Sequence, residues 1–440
     1  VVWEETMIYL PARIPLLMLS ATIGNADQIA EWLESIRGRD CIIVEEKQRP
    51  VPLYPLFLHP SGTLFPLLSP SKKGGKALLY KKVLNFLKNQ SSSGGGFGGG
   101  LPRMDDIMRV LRNYNLLPVI FFLKSRADCD NAILLCSDYK VVEDPERKAG
   151  RRRRIQELIE KTPHLADHKQ MRFLSEKALA AHHSGQLPAW KLVIETLMTE
   201  GYLDAVFATS TVAAGVNFPA RTIAFLNSDR FNGREFVPLN PTEFHQMTGR
   251  AGRRGMDNIG FAVVIPGRFM DTRYVAKLIH MPPTDVDSQI KINFSMTLNL
   301  LLSHTPEQVR KLLDKSFADH QFQSRRKKKQ RRREAAFDTA HLWREFLRHL
   351  DFLKEKEYVT KDNVLTEDGA WASQLRIDHP LMVAEGFRQD LFPQSDPALL
   401  AAIVASFVNE RETDEDSIHP KDVPESLEQA YLAIREGLRP

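Results

Sequence analysis

The sequence predicts an α/β protein, in which a parallel β-sheet with flanking helices is followed by smaller helical domains. Short apolar segments alternate with helical segments until Pro266. Such alternation is typical of a parallel sheet whose strands are buried on both faces. After Pro266 the apolar residues recur at helical spacing, so we expect the sheet to end there.

The predicted strands are short apolar runs that end in turn residues. They cover residues 15–19, 41–44, 119–123, 179–181, 204–208, 222–226 and 259–265. Helices are predicted between them, over residues 27–34, 76–88, 104–113, 126–135 and 188–199. The proline-rich residues 49–70 predict an extended linker, and the Ser/Gly-rich residues 91–100 predict a flexible connector or a loop insertion.

The last third of the chain predicts helices and one small hairpin. The helices cover residues 294–302, 306–316, 342–354 and 367–375, and the hairpin covers 358–365. Helix, helix and hairpin is a winged-helix order, which other short helical domains also show. We therefore divide the chain into a remnant of a first α/β domain (1–48), a linker (49–113), a second α/β domain (114–270), a winged-helix-like domain with a short basic insertion (271–378) and the start of a helical bundle (379–440).

The composition is that of a globular protein without membrane spans. Of 440 residues, 43% are hydrophobic and 26% are charged, and no apolar run approaches the roughly 18 residues of a spanning helix. The three cysteines form no CxxC pair, which fits a reducing intracellular compartment, cytoplasmic or nuclear, and argues against a metal site. The first five residues look like the middle of a helix, so we expect a longer protein.

The net charge of +5 depends on two basic segments, residues 147–154 and 325–333. In the second segment only Gln330 is not Lys or Arg. Without both segments the chain would carry a negative net charge. Such segments contact phosphates in many nucleic-acid-binding proteins, but a solvated helix face or a disordered arm is an equal alternative.

The strongest chemical signal is QMTGRAGRRG, which begins at Gln246. Its three glycines allow the backbone to turn tightly, so Arg250 and Arg253 are expected to project from one side of the turn. Two guanidinium groups held in this way suit phosphate oxygens, because each donates paired hydrogen bonds and keeps its charge.

This segment resembles motif VI of the superfamily-two helicases, in which two RecA-like domains clamp ATP and a nucleic-acid strand. The resemblance implies that Arg250 and Arg253 are catalytic arginine fingers that reach the ATP phosphates. It also implies that Gly249 lies in the nucleotide site and that Gln246 couples the nucleotide to the cleft. Because the phosphoryl group gains charge as it transfers, such a finger accelerates hydrolysis.

Other segments resemble the helicase motifs in the same order along the chain. Ser20, Ala21 and Thr22 resemble motif III, which couples the two domains. FFLKSR at 121–126, HHSG at 182–185 and the segment 207–220 resemble motif IV, a phosphate-holding turn before a helix, and motif V. The nucleic-acid-binding residues implied by these segments are Ser125, Arg126, His183, Ser184, Gly185, Thr209 and Thr211. Gly215 and Asn217 are implied as nucleotide-binding residues.

A hairpin is predicted between motifs V and VI, because Asn232-Gly233 lies between aromatic residues. In processive relatives a hairpin at this place separates the duplex. Phe231 or Phe236 is our candidate for that role, and a purely structural hairpin is an equal alternative.

The flanking residues resemble one branch of the superfamily, the superkiller-type DExH RNA helicases. The matching segments are GRAGRRGMD at 249–257, SMTLNLL at 295–301 and LTEDGAWA at 365–372. This resemblance implies a 3′-to-5′ helicase that acts on RNA with a single-stranded 3′ tail or a duplex. It implies ATP and Mg²⁺ as cofactors and the RNA-decay machinery as a candidate partner, with no membrane partner.

Two motifs of an ATPase do not occur in the sequence. There is neither a GxxxxGK[ST] segment nor a DExH tetrapeptide, so we expect the Mg²⁺ ligands and the water-activating Glu in preceding sequence. The chain by itself is then expected not to hydrolyse ATP. Two alternatives stay open: a DNA-repair helicase of the same superfamily, and a nucleic-acid-binding module without ATPase activity.

Overall fold

The computed structural model describes residues 2–46, 48–69, 78–92, 103–210, 212–213, 218–232, 235–329, 341–375, 377, 379–407 and 423–437. The chain divides into two compact units. We call Ser20–Gly24 with Glu45–Thr284 the sheet unit, and Val1–Leu19 with Asn25–Val44 and Asp285–Pro440 the helical unit.

The described residues form nine strands and seventeen α-helices. The strands are β1 (Leu53–Leu58), β2 (Leu64–Pro66), β3 (Val119–Phe122), β4 (Leu179–His182), β5 (Ala205–Ala208), β6 (Thr222–Phe225), β7 (Asp229–Phe231), β8 (Phe236–Pro238) and β9 (Gly260–Val264). The helices are α1 (Val2–Tyr9), α2 (Ala26–Arg37), α3 (Lys81–Ser92), α4 (Met104–Asn113), α5 (Arg126–Leu134), α6 (Pro145–Glu160), α7 (Pro188–Thr199), α8 (Pro241–Thr248), α9 (Thr272–Leu278), α10 (Phe294–Leu301), α11 (Pro306–Asp314), α12 (Phe317–Lys329), α13 (His341–Glu355), α14 (Glu367–Gln374), α15 (Pro380–Arg388), α16 (Pro397–Ser406) and α17 (Glu425–Gly437).

The sheet unit is built on a seven-stranded sheet with the order β2-β1-β9-β6-β3-β5-β4. All neighbouring strands from β1 to β4 run parallel, and only β2 at the edge is antiparallel. The α/β class and the RecA-like parallel sheet are therefore confirmed. Because the central strands run in one direction, the segments that follow them meet at one edge of the sheet, where such folds place their binding groups.

Helices cover both faces of this sheet. Strand residues alternate between the two sides, so one strand contributes side chains to both cores. Ile120 and Phe122 of β3 face a core that includes residues of α7 and α8. Val119 and Phe121 face a second core, against residues of α4 and α5. Every residue of β3, β4, β5 and β6 is buried, which explains why these strands were visible as short continuous apolar runs.

Two predicted strands, 15–19 and 41–44, are wrong. Neither segment pairs with a strand among the described residues, and nearly all of their apolar side chains are exposed. Leu17 and Leu19 are 83% and 86% exposed, and Val44 is 91% exposed. An apolar run indicates a strand only if neighbouring strands supply partners for its backbone, and the described residues supply none.

The predicted linker over residues 49–70 also differs from the structure. Leu53–Leu58 is strand β1, which pairs with β9 from Leu53↔Gly260 to Phe57↔Val264. Leu64–Pro66 is β2 and closes the same edge. Proline removes a hydrogen-bond donor but has a φ that edge positions accept, so a proline-rich segment can still join a sheet near its edge.

The helical unit has a core formed largely by α10, α11, α13 and α14. The predicted small hairpin is present as one antiparallel bridge between Val359 and Leu365. Gly369 at the start of α14 lies so close to this bridge that an added Cβ would be 2.0 Å from the carbonyl oxygen of Tyr358. Residues of α15, α16 and α17 enclose a further small core around Ile403. The winged-helix assignment itself stays a prediction.

Candidate functional site

The predicted motif VI lies on helix α8 and on the turn that follows it. Asn240 accepts a hydrogen bond from the N–H of Glu243, and the Glu243 carboxylate accepts one from the N–H of Asn240. This capping box fixes the first turn of the helix. The helix ends at Thr248, and the motif continues through Gly249 into a turn.

Glycine is required in this turn mainly at Gly252. Its φ is +84°, and an added Cβ would lie 2.4 Å from Cγ1 of Val51. Gly255 has a φ of +79° but open space around it, whereas Gly249 has a helical φ of −58°. The tight turn is held by Ala220, whose N–H donates to the carbonyl of Arg250 at 2.9 Å and whose carbonyl accepts from Gly252 at 2.8 Å.

Arg250 reaches the segment that follows strand β5. Its Nε and Nη2 atoms donate to the carbonyl oxygen of Ala213 at 3.2 and 2.6 Å. Burial lowers the pKa of Arg250 from its usual value, although a guanidinium keeps its proton in proteins. Nη1 has no hydrogen-bond partner among the described residues, so it is available to an anion.

Arg253 forms an ion pair with Asp257, which lies four residues later in the sequence. The Asp257 carboxylate accepts from the backbone N–H, Nε and Nη2 of Arg253 at 2.9, 2.8 and 3.0 Å. Only 2% of the Asp257 side chain is exposed. Burial raises the pKa of Asp257, but the hydrogen bonds from Arg253 outweigh that effect and lower it. Arg250 and Arg253 thus bind different groups, and Nη1 of Arg253 also has no partner in the described part of the chain.

Asp257 and Arg49 bind the predicted motif VI, and neither was among the residues predicted from the sequence. Arg49 donates from Nη2 to the carbonyls of Thr248 and Ala251 at 3.1 and 3.0 Å, on either side of Arg250. Arg49 was not recognised because it lies in the segment that the sequence predicted to be a linker. Asp257 was recognisable in principle, since it closes the GRAGRRGMD segment four residues after Arg253.

Gln246 and the predicted motif III lie together in the sheet unit. Nε2 of Gln246 donates to Oγ1 of Thr22 at 3.3 Å, across 224 positions of sequence. The N–H of Thr22 in turn lies 3.5 Å from Oγ of Ser20. The structure therefore brings Gln246 next to the segment of Ser20, Ala21 and Thr22.

The predicted phosphate-binding residues after β3 lie at the start of helix α5. Ser125 caps this helix: its Oγ accepts from the N–H of Asp128 at 3.1 Å and lies 2.7 Å from an Asp128 carboxylate oxygen. Its hydroxyl is therefore already engaged. Arg126 lies against Gly185, where an added Cβ would be 3.1 Å from Arg126 Cδ. Motif IV and the HHSG turn are thus adjacent.

The two histidines of the HHSG segment are buried and paired with carboxylates. His182 Nε2 lies 2.8 Å from Glu195, and His183 Nε2 lies 3.4 Å from Asp130. Burial raises the pKa of Asp130, but hydrogen bonds from His183 and Lys169 lower it to about 2. Nδ1 of His183 has no hydrogen-bond partner in the part of the chain that the structure describes.

Ser184 and Gly185 are exposed in the turn that follows His183. Helix α7 begins only at Pro188, with Leu187 as its N-cap. Ser184 therefore precedes the helix by several residues and does not cap it. A phosphate held by this turn would be bound by the turn itself and not by the helix end.

Motif V is only partly within the described residues. Thr209 directly follows strand β5 and is nearly buried, and its carbonyl accepts from the N–H of Val212 at 3.1 Å. Thr211, Gly215 and Asn217 lie outside the described residues. Thr209 nevertheless lies at the same edge of the sheet as Ser125 and His183, which follow β3 and β4.

The predicted hairpin is confirmed and consists of β7 and β8. Phe231 pairs with Phe236, and their ring centroids are 5.3 Å apart. Phe236 is 42% exposed. Arg230 of β7 forms an ion pair with Glu243 of α8, which joins the hairpin to the helix that carries Gln246.

Half of the first basic segment pairs with acidic residues of the sheet unit, whereas Lys148, Arg152 and Arg153 are exposed. It lies on helix α6, which the sequence analysis did not predict. Arg151 is completely buried and binds both carboxylate oxygens of Glu143 at 2.6 and 2.7 Å. Arg147 binds Asp204 at 3.0 Å, and Arg154 binds Glu200. These three arginines therefore bind protein groups. Within the second segment, the side chains of 325–333 lie outside the described residues.

The described residues contain no group of three or more His, Cys, Asp or Glu side chains that could hold a metal ion. No described helix has the length and apolarity to span a bilayer.

The parallel sheet with helices on both faces defines the sheet unit as a RecA-like domain. Residues 362–439 match the family model of the DSHCT (NUC185) domain. Over 345 residues the chain is 34% identical to the probable helicase HelY of Mycobacterium tuberculosis. This match covers 73% of this chain and 37% of that protein.

Two eukaryotic relatives are similar over a comparable share. The human exosome RNA helicase MTR4 is 32% identical over 335 residues, 73% of this chain and 32% of the relative. The chloroplastic DExH-box ATP-dependent RNA helicase DExH15 of Arabidopsis thaliana is 30% identical over 382 residues, 72% of this chain and 32% of the relative. The chain belongs to the superkiller-type DExH helicases of superfamily two. It spans about a third of the length of these curated relatives.

Proposed function

We propose that this chain is part of an ATP-dependent RNA helicase that translocates 3′ to 5′ and hydrolyses ATP between two RecA-like domains. The contact between Gln246 and Thr22 carries the proposal, because it joins two motifs that the resemblance assigns to nucleotide coupling. The RNA helicases among the relatives support RNA as the substrate. An intracellular location, a winged helix after the sheet unit and RNA-decay partners belong to the same proposal.

Arg250 and Arg253 act on ATP in this proposal. Each guanidinium is held by two of its nitrogen atoms, Arg250 by Ala213 and Arg253 by Asp257. Each therefore presents Nη1 in a fixed direction, which suits an oxygen of the transferring phosphoryl group. Arginine fingers of P-loop enzymes accelerate hydrolysis by about 10³- to 10⁵-fold. Gly249, Gly215 and Asn217 would line the nucleotide, and Mg²⁺ would neutralise phosphate charge there.

RNA would lie along the edge where β3, β4 and β5 end. Arg126, the HHSG turn with His183, Ser184 and Gly185, and the hydroxyls of Thr209 and Thr211 would contact the sugar-phosphate backbone. Such contacts position a strand without reading its bases, as translocation on any sequence requires. Since the Ser125 hydroxyl already caps α5, we assign Ser125 a direct phosphate contact only through its backbone.

The test measures RNA-stimulated ATP hydrolysis by the full-length protein. Arg253→Ala should lower turnover at least about 10³-fold, while RNA binding persists. Arg254→Ala is the matched control, because Arg254 is exposed and adjacent to Arg253; its turnover should equal that of wild type. Unchanged turnover in Arg253→Ala would remove the arginine-finger assignment.

Two alternatives have separate tests. The name of the mycobacterial relative specifies a helicase without stating RNA, so a DNA-repair helicase is tested by unwinding of matched RNA and DNA duplexes with 3′ tails. The chain has no GxxxxGK[ST] or DExH motif, so by itself it should bind nucleic acid without hydrolysing ATP. Measurable hydrolysis by the isolated chain would contradict that reading.

A further inference from the structure

One lysine, Lys124, joins the β7–β8 hairpin to the end of strand β3. Its carbonyl oxygen accepts a hydrogen bond from the N–H of Phe231 at 3.1 Å, which ties down strand β7. Its Nζ lies 4.6 Å from the ring centroid of Phe236, which ties down strand β8. Both hairpin strands are therefore in contact with a single residue that lies outside the hairpin.

The ammonium group of Lys124 lies between two aromatic rings. Nζ is also 3.4 Å from the ring centroid of Phe269, which follows the hairpin in the sequence. Phe269 also contacts the base of the hairpin, since its carbonyl accepts from the N–H and Oγ of Ser228 at 3.0 and 3.2 Å. A cation over the face of an aromatic ring is attracted by the ring's negative charge. Phe236 and Phe269 thus fix the position of the Lys124 ammonium group, and Lys124 fixes the position of the hairpin.

The charge of Lys124 has a further partner in Asp229, the first residue of β7. Burial raises the pKa of Asp229, whereas the positive charge of Lys124 lowers it. One carboxylate oxygen of Asp229 is buried and has no hydrogen-bond partner among the described residues. Loss of the lysine charge would therefore also remove the cation that favours the charged carboxylate at the base of the hairpin.

Lys124 directly precedes Ser125 and Arg126, the residues proposed to meet the RNA backbone. We propose that Lys124 is a positioning residue that fixes the hairpin relative to this backbone-contacting turn, so that the hairpin separates the duplex at each step of the strand. This inference rests on the proposed helicase function. It predicts that Lys124 is needed to convert ATP hydrolysis into strand separation but not for hydrolysis itself.

The experiment compares three variants of the full-length protein. Lys124→Met keeps much of the side-chain volume without the charge, and Lys124→Arg keeps a cation that can lie between the rings. Lys82→Met is the matched control, because it removes a cation 4.9 Å from the Phe65 ring at the far edge of the sheet. Each is assayed for RNA-stimulated ATPase activity and for unwinding of a 3′-tailed RNA duplex.

In Lys124→Met we expect unwinding to fall about tenfold while ATPase activity stays within about twofold of wild type, since loss of contacts to two rings changes an equilibrium by roughly that factor. Lys124→Arg should restore most of the unwinding, and Lys82→Met should leave both activities unchanged. Unchanged unwinding in Lys124→Met overturns the proposal. A proportional fall of both activities also overturns it, because that result indicates general damage to the sheet unit.

Hydrogen exchange separates this inference from the proposed function. Amide exchange of residues 229–232 should speed up in Lys124→Met and not in Lys82→Met, with or without RNA. If the wild-type protein shows no RNA-dependent ATPase activity, the proposed function fails, and the exchange of these amides still decides whether Lys124 holds the hairpin. Equal exchange in wild type and Lys124→Met means that it does not.

Discussion

Replacing Asp257 by asparagine tests how Arg253 is held. The substitution keeps the shape of the side chain and removes its charge. At present one carboxylate oxygen accepts from the backbone N–H and Nε of Arg253, and the other accepts from Nη2. In Asp257→Asn the amide oxygen can replace only one of these acceptors, and the amide NH₂ then faces a donor.

The expected loss follows from the burial of this pair. A hydrogen bond to a charged group contributes about 1.5–3 kcal/mol, and removing one member of a buried ion pair costs about 3–5 kcal/mol. Asp257 is 2% exposed, but Arg253 is 19% exposed and can partly turn to water. We therefore expect Asp257→Asn to lower the free energy of unfolding of the sheet unit by about 3 kcal/mol.

The assay must report on the sheet unit separately from the helical unit. Of the five tryptophans, only Trp190 lies in the sheet unit, where it is fully buried. Urea unfolding of 5-fluorotryptophan-labelled protein, followed by the ¹⁹F resonance of Trp190, isolates that transition. Glu176→Gln is the matched control: it breaks another i,i+4 pair with an arginine, but at 3.7 Å and with side chains 82% and 49% exposed.

We expect the control to change stability by less than about 1 kcal/mol, as exposed pairs do. Lowering the pH gives a second check. Because the pKa of Asp257 is lowered in the folded state, its stabilisation is full above the ordinary value of 3.8 and is lost as the pH falls through the lowered value. The gap between wild type and Asp257→Asn should then close in acid. Equal unfolding midpoints at neutral pH would refute this account of the pair.

Three further changes have defined outcomes in the same ¹⁹F assay. Gly252→Ala places a Cβ 2.4 Å from Val51 at a φ of +84° and should cost roughly 3 kcal/mol, whereas Gly255→Ala, strained but unobstructed, should cost about 1 kcal/mol; equal losses would contradict the contact. Arg49→Met removes a donor to two motif VI carbonyls and should cost about 2 kcal/mol, with lower ATP turnover in the full-length protein; unchanged turnover would show that the turn needs no such support. Burial lowers the pKa of His168, so stability should fall as the pH drops below the ordinary value of 6.5, where the unfolded state binds more protons; His168→Gln should flatten this dependence.

Much of the sheet unit was predictable because its strands are buried on both faces. Residues 119–123 predicted β3, and the structure has Val119–Phe122 in the middle of the sheet. The helix over 188–199 was also predicted correctly as Pro188–Thr199. The composition of such a segment is enough to indicate that it is buried. Leu16 to Leu19 have the same composition, and their exposure shows that a strand also depends on neighbours that a local pattern does not reveal.

The candidate site was predictable where a fixed spacing carries the chemistry, and less so where distant residues support it. The spacing of the motif VI glycines predicted the turn, whereas the roles of Arg250 and Arg253 stay a prediction. Arg49 could not be recognised in this way, because its hydrogen bonds reach residues about 200 positions away. For the basic segment at 147–154 the sequence left two alternatives open. Charge counting cannot tell that Arg151 is buried against Glu143.

The pairing of β1 with β9 has a consequence for the order in which the protein is made. Leu53 pairs with Gly260, so β1 leaves the ribosome long before its parallel partner exists. At about 5–20 residues per second, the delay for some 200 residues is on the order of 10–40 s. During that time β1 can pair with β2, which follows it directly, but its other edge stays open. An open strand edge can associate with other nascent chains, so synthesis of β9 ends a period in which β1 is exposed to such association.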